Sequence, residues 1–304
     1  MKAIVVNSYG GPEVLRYEDV PDPIPGPGEV LLDVIATSVN PIDLMRRSGA
    51  ASDFMPIHFP GIIGVDVSGT VVETGDLVQD LNVGDRVFGM AQQTYAERCV
   101  VKSSALSLIP QRLDSVDAAA LPLVTITGHK LINVGTAIEK GQTILILGAA
   151  GNVGRSAVLT AKEAGATVIA GVLKKQVPEA EKLGADQVVA TDDEAALNGL
   201  PPLDAVADTV GGSLAASVLP RLRKGGIFAS VLGLPQNADA FPDIKKTPVY
   251  AEPNADVLAH MAQAVCDGKL VIPIRRRIAL SDAAEAHAMA AQGGGKIVLV
   301  AAHD

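Results

Sequence analysis

The 304-residue sequence predicts an α/β protein of two domains, one built on a doubly wound parallel sheet and the other mostly β. Three observations carry that prediction. The chain is about twice the length of a typical ~150-residue domain, so two cores are expected. From about residue 120 apolar strand-like runs alternate with helical ones, which is the signature of a parallel sheet covered on both faces. Short β-type runs occupy both chain ends, so the chain is expected to finish in the domain where it began.

The first stretch, 1–119, contains "KAIVV", "EVLLDVIATSV", "VSGTVVET", "DRVFGM" and "AERCVV". These are short runs broken by turns, as in a β-rich domain. The proline-rich "PDPIPGPGEV" leads straight into an apolar run and reads as a rigid turn entering a strand. A helical stretch, "VDAAALPLVTITGHKLINVG", opens the second domain, 120–266. After it come "TILILG", "VGRSAVLTAKEAG", "TVIAGV", "PEAEKLG", "QVVAT", "DAVADTV", "SLAASVLPRLRKG" and "GIFASVLG". The strands among them are apolar along their whole length, so both sheet faces are expected to be buried. One more helix, about 255–267, precedes "VIPIRRRIAL" and "GKIVLV", which return the chain to the first domain over 267–304.

Composition narrows the partners. A net charge of -9 and a pI near 5.1 oppose nucleic-acid binding, and the absence of tryptophan removes one stacking platform. The basic run Arg275–Arg277 reads as a solvated strand face. Two cysteines, Cys99 and Cys266, fit a reducing compartment and supply neither a disulfide framework nor a four-thiolate metal site. No run reaches the ~20 apolar residues of a membrane span, and a soluble cytoplasmic protein is expected.

The chemistry begins at "LGAAGNVG", residues 147–154. Strand, glycine-rich turn and helix in succession present backbone N–H groups and a helix N-terminus to an anion, as in dinucleotide pyrophosphate sites. In the G-x-G-x-x-G register Ala149 replaces the first glycine, with Gly148 just ahead. Gly151 permits close approach and Gly154 lets the helix pack on the strand. The candidate cofactor contacts are Ala150, Gly151, Asn152, Val153 and Gly154, with Val210, Val231 and Gly233 at two later strand ends. The acid that would bind the ribose hydroxyls of NAD is absent after the second strand. Val172 and Leu173 stand there and Lys174 and Lys175 follow, so a 2′-phosphate and hence NADPH is expected, with NADH second.

In order along the chain, "GGPEVLRYEDVPDPIPGPGEVLLDVIATSVNPIDLMRRSG", "PGIIGVDVSGTVVETGDLVQDLNVGDRVFGM", "GAAGNVG", "DTVGG" and "GKIVLV" resemble landmarks of the zinc-free, quinone-oxidoreductase-like branch of the medium-chain dehydrogenase/reductase superfamily. The resemblance implies a chaperonin-10-like (GroES-like) catalytic domain, a Rossmann-type nucleotide domain inserted into it, and a homodimer paired through the edge of the nucleotide-domain sheet. It implies that Asn40 and Thr127 lie beside the nicotinamide as catalytic residues. Zinc-bearing relatives carry a cysteine and a His-Glu pair where this chain has Asn40, Val65 and Asp66, and His58, His129, His260, His287 and His303 show no ligand spacing. No metal is therefore expected. Without a Lewis acid an electron-poor acceptor is favoured, a quinone or an α,β-unsaturated carbonyl, because it delocalises the incoming charge onto oxygen. An enoyl thioester differs only in acceptor. The segment "DLMRRSGAA" lacks the tyrosines some relatives place there, so no proton donor is assigned. The alternative is an NADPH-binding protein with a structural or regulatory role and little turnover.

Overall fold

The computed structural model describes residues 1–302, and His303 lies outside the described residues. Contacts divide the chain into two compact units. Unit 1 holds Met1–Leu123, Pro253–Gly268 and the chain from Ile272 on; unit 2 holds Val124–Glu252 and Lys269–Val271.

Unit 1 begins with β1 (Lys2–Val6), β2 (Leu15–Asp19), β3 (Glu29–Val39), β4 (Gly61–Ile62), β5 (Asp66–Thr74), β6 (Arg86–Met90), β7 (Arg98–Lys102) and β8 (Leu106–Leu108), with the helices α1 (Pro41–Ser48) and α2 (Ser115–Ala118). β2, β1 and β4 form a small antiparallel sheet. β3 is the spine of the larger one, pairing with β5 and β7. Its eleven residues bury Val30, Leu32 and Val34 on the core face, the alternation expected of a strand with one face on a core.

Unit 2 opens within α3 (Pro122–Lys130) and runs through β9 (Thr143–Leu147), α4 (Asn152–Glu163), β10 (Thr167–Val172), α5 (Val177–Ala180), β11 (Gln187–Ala190), α6 (Glu194–Asn198), β12 (Leu203–Asp208), α7 (Gly212–Val218), β13 (Leu222–Ser230) and β14 (Lys245–Pro248). The six strands pair in parallel in the order β11-β10-β9-β12-β13-β14. Numbered from β9, that is 3-2-1-4-5-6, the doubly wound order. Alternation divides β9 between two cores. Ile144 and Ile146 belong to one and Leu145 and Leu147 to the other, and all four are fully buried. A strand dry on both faces must read as a continuous apolar run, which is how "TILILG" reads.

The last elements are α8 (Ala255–Cys266), β15 (Ile274–Ala279), α9 (Ala283–Ala290) and β16 (Lys296–Val300). β16 pairs with β3 and β15 with β16, so the two chain ends meet in one sheet. One boundary differs from the sequence reading, which assigned 255–266 to the nucleotide domain. α8 groups with unit 1 and packs against β8. Its periodicity identifies an amphipathic helix, burying Val257, Leu258 and Met261, but carries no information about which core receives that face. The basic run lies in β15, solvent-exposed, with Arg277 paired to Asp117 at 2.5 Å. Among the described residues no helix is long and apolar enough to cross a membrane.

Candidate active site

The glycine turn of unit 2 joins β9 to α4 at the carboxyl ends of the strands. Between β9 and β12 the strand order reverses, which is where open α/β sheets form their ligand crevice. Gly148 has φ +76 and donates its N–H to the Gly171 carbonyl at 2.9 Å. A Cβ on Gly148 would stand 2.4 Å from Thr209 Oγ1, and one on Gly154 would stand 2.1 Å from the Gly148 carbonyl oxygen. Both positions exclude side chains. At Gly151 the same distance is 3.1 Å, so its requirement for glycine is weaker. This corrects the register read from sequence, because the tight-turn role falls on Gly148 rather than on the position held by Ala149.

α4 starts at Asn152 behind Gly151, which brings no side chain to cap it. The first intrahelical bond runs from the Arg155 N–H to the Gly151 carbonyl at 2.9 Å. The N–H groups of Asn152, Val153 and Gly154 therefore point off the helix end, where the positive end of the dipole favours an anion. Arg155, which sequence reading passed over, is buried beneath the turn. Its Nε donates to the Ala150 carbonyl at 3.0 Å and Nη2 pairs with Glu179.

The neighbouring strand ends share this rim. Asp208 Oδ1 accepts the N–H groups of Val210 and Gly211, each at 2.9 Å, and Oδ2 accepts the Ser230 hydroxyl at 2.7 Å. That pair fixes the loops carrying Val210, Val231 and Gly233, the last with φ +91. Thr127 is buried in α3. Beside it, a Cβ on Gly128 would meet the Val153 carbonyl at 2.6 Å, so α3 is pressed against the first turn of α4. The structure thus sets Ala150–Gly154, Val210 and Val231 at the ends of the neighbouring strands β9, β12 and β13, with Gly233 two residues beyond Val231 and Thr127 on α3, the helix packed against the first turn of α4.

Lys174 and Lys175 are exposed beyond β10. The Lys174 N–H donates to Asp192 Oδ1 at 2.7 Å, and Asp192, Asp193 and Glu194 border the same pocket as Lys174. Sequence reading missed this acidic neighbour because it arrives from the end of the next strand.

Unit 1 carries a buried polar knot. Asn40 caps the N-terminus of α1 and is 1% exposed. Its Nδ2 donates to Asp66 Oδ2 at 2.8 Å and to the Ser38 carbonyl at 3.3 Å, while Oδ1 accepts from Lys296 Nζ at 2.5 Å. Asp66 Oδ2 also accepts from Ser38 Oγ at 2.5 Å and from Lys296 Nζ at 3.1 Å, and Oδ1 accepts the Leu123 N–H at 2.8 Å. Both amide hydrogens of Asn40 are therefore committed, and one carbonyl lone pair remains. Lys296, only 3% exposed, is the residue sequence reading missed. The available signal was a lysine opening the otherwise apolar "KIVLV", which a buried strand admits only when the charge is paired.

Around the knot burial controls protonation. Asp43 accepts the Asn40 N–H at 2.8 Å through Oδ2, its Oδ1 has no partner, and burial pushes its carboxyl up to about 7. His287 is held down at about 3, by burial first and by Arg47 second. Arg47 Nη1 faces its Nδ1 at 3.5 Å and the Tyr95 hydroxyl faces Nε2 at 3.1 Å. As arginine only donates, Nδ1 is the acceptor and Nε2 carries the proton. Burial raises the Tyr95 phenol well above its usual range.

Comparisons with known proteins agree with this architecture. Residues 26–111 match the alcohol dehydrogenase GroES-like domain and residues 183–299 the zinc-binding dehydrogenase family. The chain is 32% identical to a chloroplast envelope quinone oxidoreductase homolog from Arabidopsis thaliana, over 98% of each chain. It superposes on the quinone oxidoreductase from Coxiella burnetii with a TM-score of 0.87 at 30% identity, covering 99% of each. A mycobacterial protein solved in complex with NADPH gives a TM-score of 0.84 at 30% identity, over 99% of this chain and 100% of that one. The chain belongs to the quinone-oxidoreductase-like branch of the medium-chain dehydrogenase/reductase superfamily, and is an oxidoreductase of that family.

Membership raises the question of zinc, and the donor set does not fit it. Asp66 is saturated by hydroxyl, amide and ammonium donors, Asn40 is neutral, Val65 has no donor, and the Lys296 ammonium stands where a cation would have to bind. Among the described residues no three His, Cys, Asp or Glu side chains form a metal-binding group.

Proposed function

We propose that this protein is a metal-independent, NADPH-dependent reductase of quinones or α,β-unsaturated carbonyls. The observation that carries the reading is the knot itself: where zinc-bearing relatives hold a metal, this chain holds the Lys296 ammonium between Asn40 and Asp66. Such a site lacks a Lewis acid for an unactivated ketone, whereas an acceptor that spreads its own charge needs only hydrogen-bond donors. The nicotinamide, when bound, supplies the hydride. The uncapped N–H groups of α4 would hold its pyrophosphate, and the loops of Val210, Val231 and Gly233 would flank it. Because the Asn40 amide hydrogens are spent, Asn40 would serve as an acceptor rather than a donor, and Thr127 is proposed, on the family resemblance, as a donor to the developing oxyanion. Lys174 and Lys175 support a 2′-phosphate, as does the NADPH complex of the mycobacterial relative. On this reading the protein works as a cytoplasmic homodimer on small electrophiles, without a nucleic-acid or membrane partner.

The test is steady-state oxidation of NADPH and NADH against quinones, enones and enoyl thioesters, with and without a chelator, on metal-analysed protein. Turnover with NADPH that survives chelation is expected. Stoichiometric zinc whose removal abolishes turnover overturns the mechanism, and binding of NADPH without turnover on any acceptor favours the regulatory alternative. Replacing Thr127 by valine is expected to slow turnover by up to ~10²–10³-fold, the range for losing one oxyanion donor.

A further inference from the structure

Arg46 occupies the last turn of α1, at the opposite end of the helix from Asn40, about 9 Å along the axis at 1.5 Å per residue. It is 5% exposed, yet its Nε and Nη1 have no hydrogen-bond partner. The contrast with Arg155 is direct. That arginine is equally buried and spends Nε, Nη1 and Nη2 on two carbonyls and a carboxylate. Buried donors without hydrogen-bond partners are costly and call for an explanation; the strongest charge acting on this guanidinium is the Asp43 carboxylate three residues back, itself unpartnered at Oδ1. The surrounding helix end helps to keep it charged, since the negative pole of the α1 dipole lies there.

Arg46 lines a cavity of about 500 Å³ in unit 1, bounded also by Asn7, Glu18, His58 and Gln92. That volume suits a small organic molecule. A planar guanidinium matches a carboxylate or a phosphate, and Glu18 decides between them. Its carboxylate shares the cavity wall, so a dianionic phosphate meets more repulsion than a singly charged carboxylate. The amides of Asn7 and Gln92 offer hydrogen bonds to the body of such a molecule. We propose that this cavity is a binding site for a small organic carboxylate, with Arg46 as the anion anchor, separate from the hydride-transfer site.

The experiment is calorimetric titration of the full chain with trans-cinnamate, its neutral counterpart trans-cinnamamide, and inorganic phosphate. Cinnamate should bind saturably, with a dissociation constant below about 10 mM, and cinnamamide and phosphate more weakly. Arg46→Gln should weaken cinnamate at least about tenfold, the loss expected for a charge-assisted contact. Glu18→Gln, an exposed β2 position that leaves Arg46 in place, should tighten cinnamate by about two- to threefold at low salt and leave NADPH oxidation unchanged. That second variant keeps the proposal exposed should Arg46→Gln fail to fold. Equal binding of cinnamate and cinnamamide, tighter binding of phosphate, or a Glu18→Gln variant with unchanged or weakened cinnamate affinity overturns it.

Discussion

The glycine turn of unit 2 and the polar knot of unit 1 do comparable work by opposite means. The turn makes its site from backbone N–H groups, so it is contiguous, eight residues long, and tolerates almost any side chain except where none fits. The knot makes its site from side chains, and Ser38, Asn40, Asp66 and Lys296 come from β3, the start of α1, β5 and the last strand, up to 256 residues apart. A backbone site writes a motif into the sequence. A side-chain site leaves only isolated polar residues in apolar surroundings.

The largest effect that tests this contrast comes from the turn. Gly154→Val places a Cβ 2.1 Å from a backbone carbonyl oxygen that cannot move without dislodging β9. Nucleotide binding is expected to vanish, with thermal stability reduced by more than the ~1–3 kcal/mol of ordinary overpacking. Gly151→Ala, with 3.1 Å available at the same oxygen, should fold normally and keep measurable NADPH affinity by calorimetry. Equal losses in the two variants would mean that close approach to the ligand, rather than helix packing, dominates both positions.

The knot should break differently. Lys296→Met removes the ammonium and leaves Asp66, itself fully buried, without its cation, a change that costs about 3–5 kcal/mol when one partner of a buried pair is deleted. Adding Asp66→Asn should recover a large part of that loss in urea unfolding, because the uncompensated charge goes with it. A double variant no more stable than Lys296→Met would show that the two residues are not energetically coupled.

These differences explain what the sequence could and could not reveal. The parallel sheet, the glycine turn and the shared sheet of the two chain ends were legible because each follows from periodicity or from a local backbone requirement. Gly148 stood in view beside the motif but took no role in a register that expected its glycine one position later. Lys296 and Asp192 were hidden for another reason, since each acts on a residue brought near only by strand pairing. α8 shows the same limit at the level of packing: its apolar stripe was readable, but its destination was not.

Protonation supplies a third, smaller effect. His287 is neutral in the folded protein down to about pH 3, whereas an unfolded histidine takes up its proton near 6.5. The unfolded state therefore binds more protons between those values, and folding stability falls as pH drops from 6.5 toward 3, by about 1.4 kcal/mol per unit. Asp43 has the opposite sign: its raised carboxyl contributes stability that is lost as pH rises from about 4 to about 7. His287→Gln should flatten the acid limb and spare the Asp43 limb, as read from unfolding midpoints across pH. An unchanged slope between pH 6 and 4 would mean that the imidazole becomes charged within the folded state.

The smallest expected effect lies at the rim of unit 2, where backbone and side-chain recognition meet. Asp192 accepts the Lys174 N–H at 2.7 Å and stands with Asp193 and Glu194 beside the lysine proposed to meet a 2′-phosphate. Its carboxylate offsets part of the lysine field and offers an acceptor to ribose hydroxyls, so it works against the proposed preference for NADPH. Asp192→Asn keeps an oxygen to accept that N–H and removes only the charge. NADPH should then bind about two- to threefold more tightly, as suits an exposed charge screened by solvent, while NADH stays the same or weakens. The gain should shrink as ionic strength rises and the Debye length shortens. Calorimetry with both cofactors at two salt concentrations separates the outcomes, because an NADPH affinity that does not respond to the substitution at low salt would remove Asp192, and with it the electrostatic account of cofactor choice at this strand end.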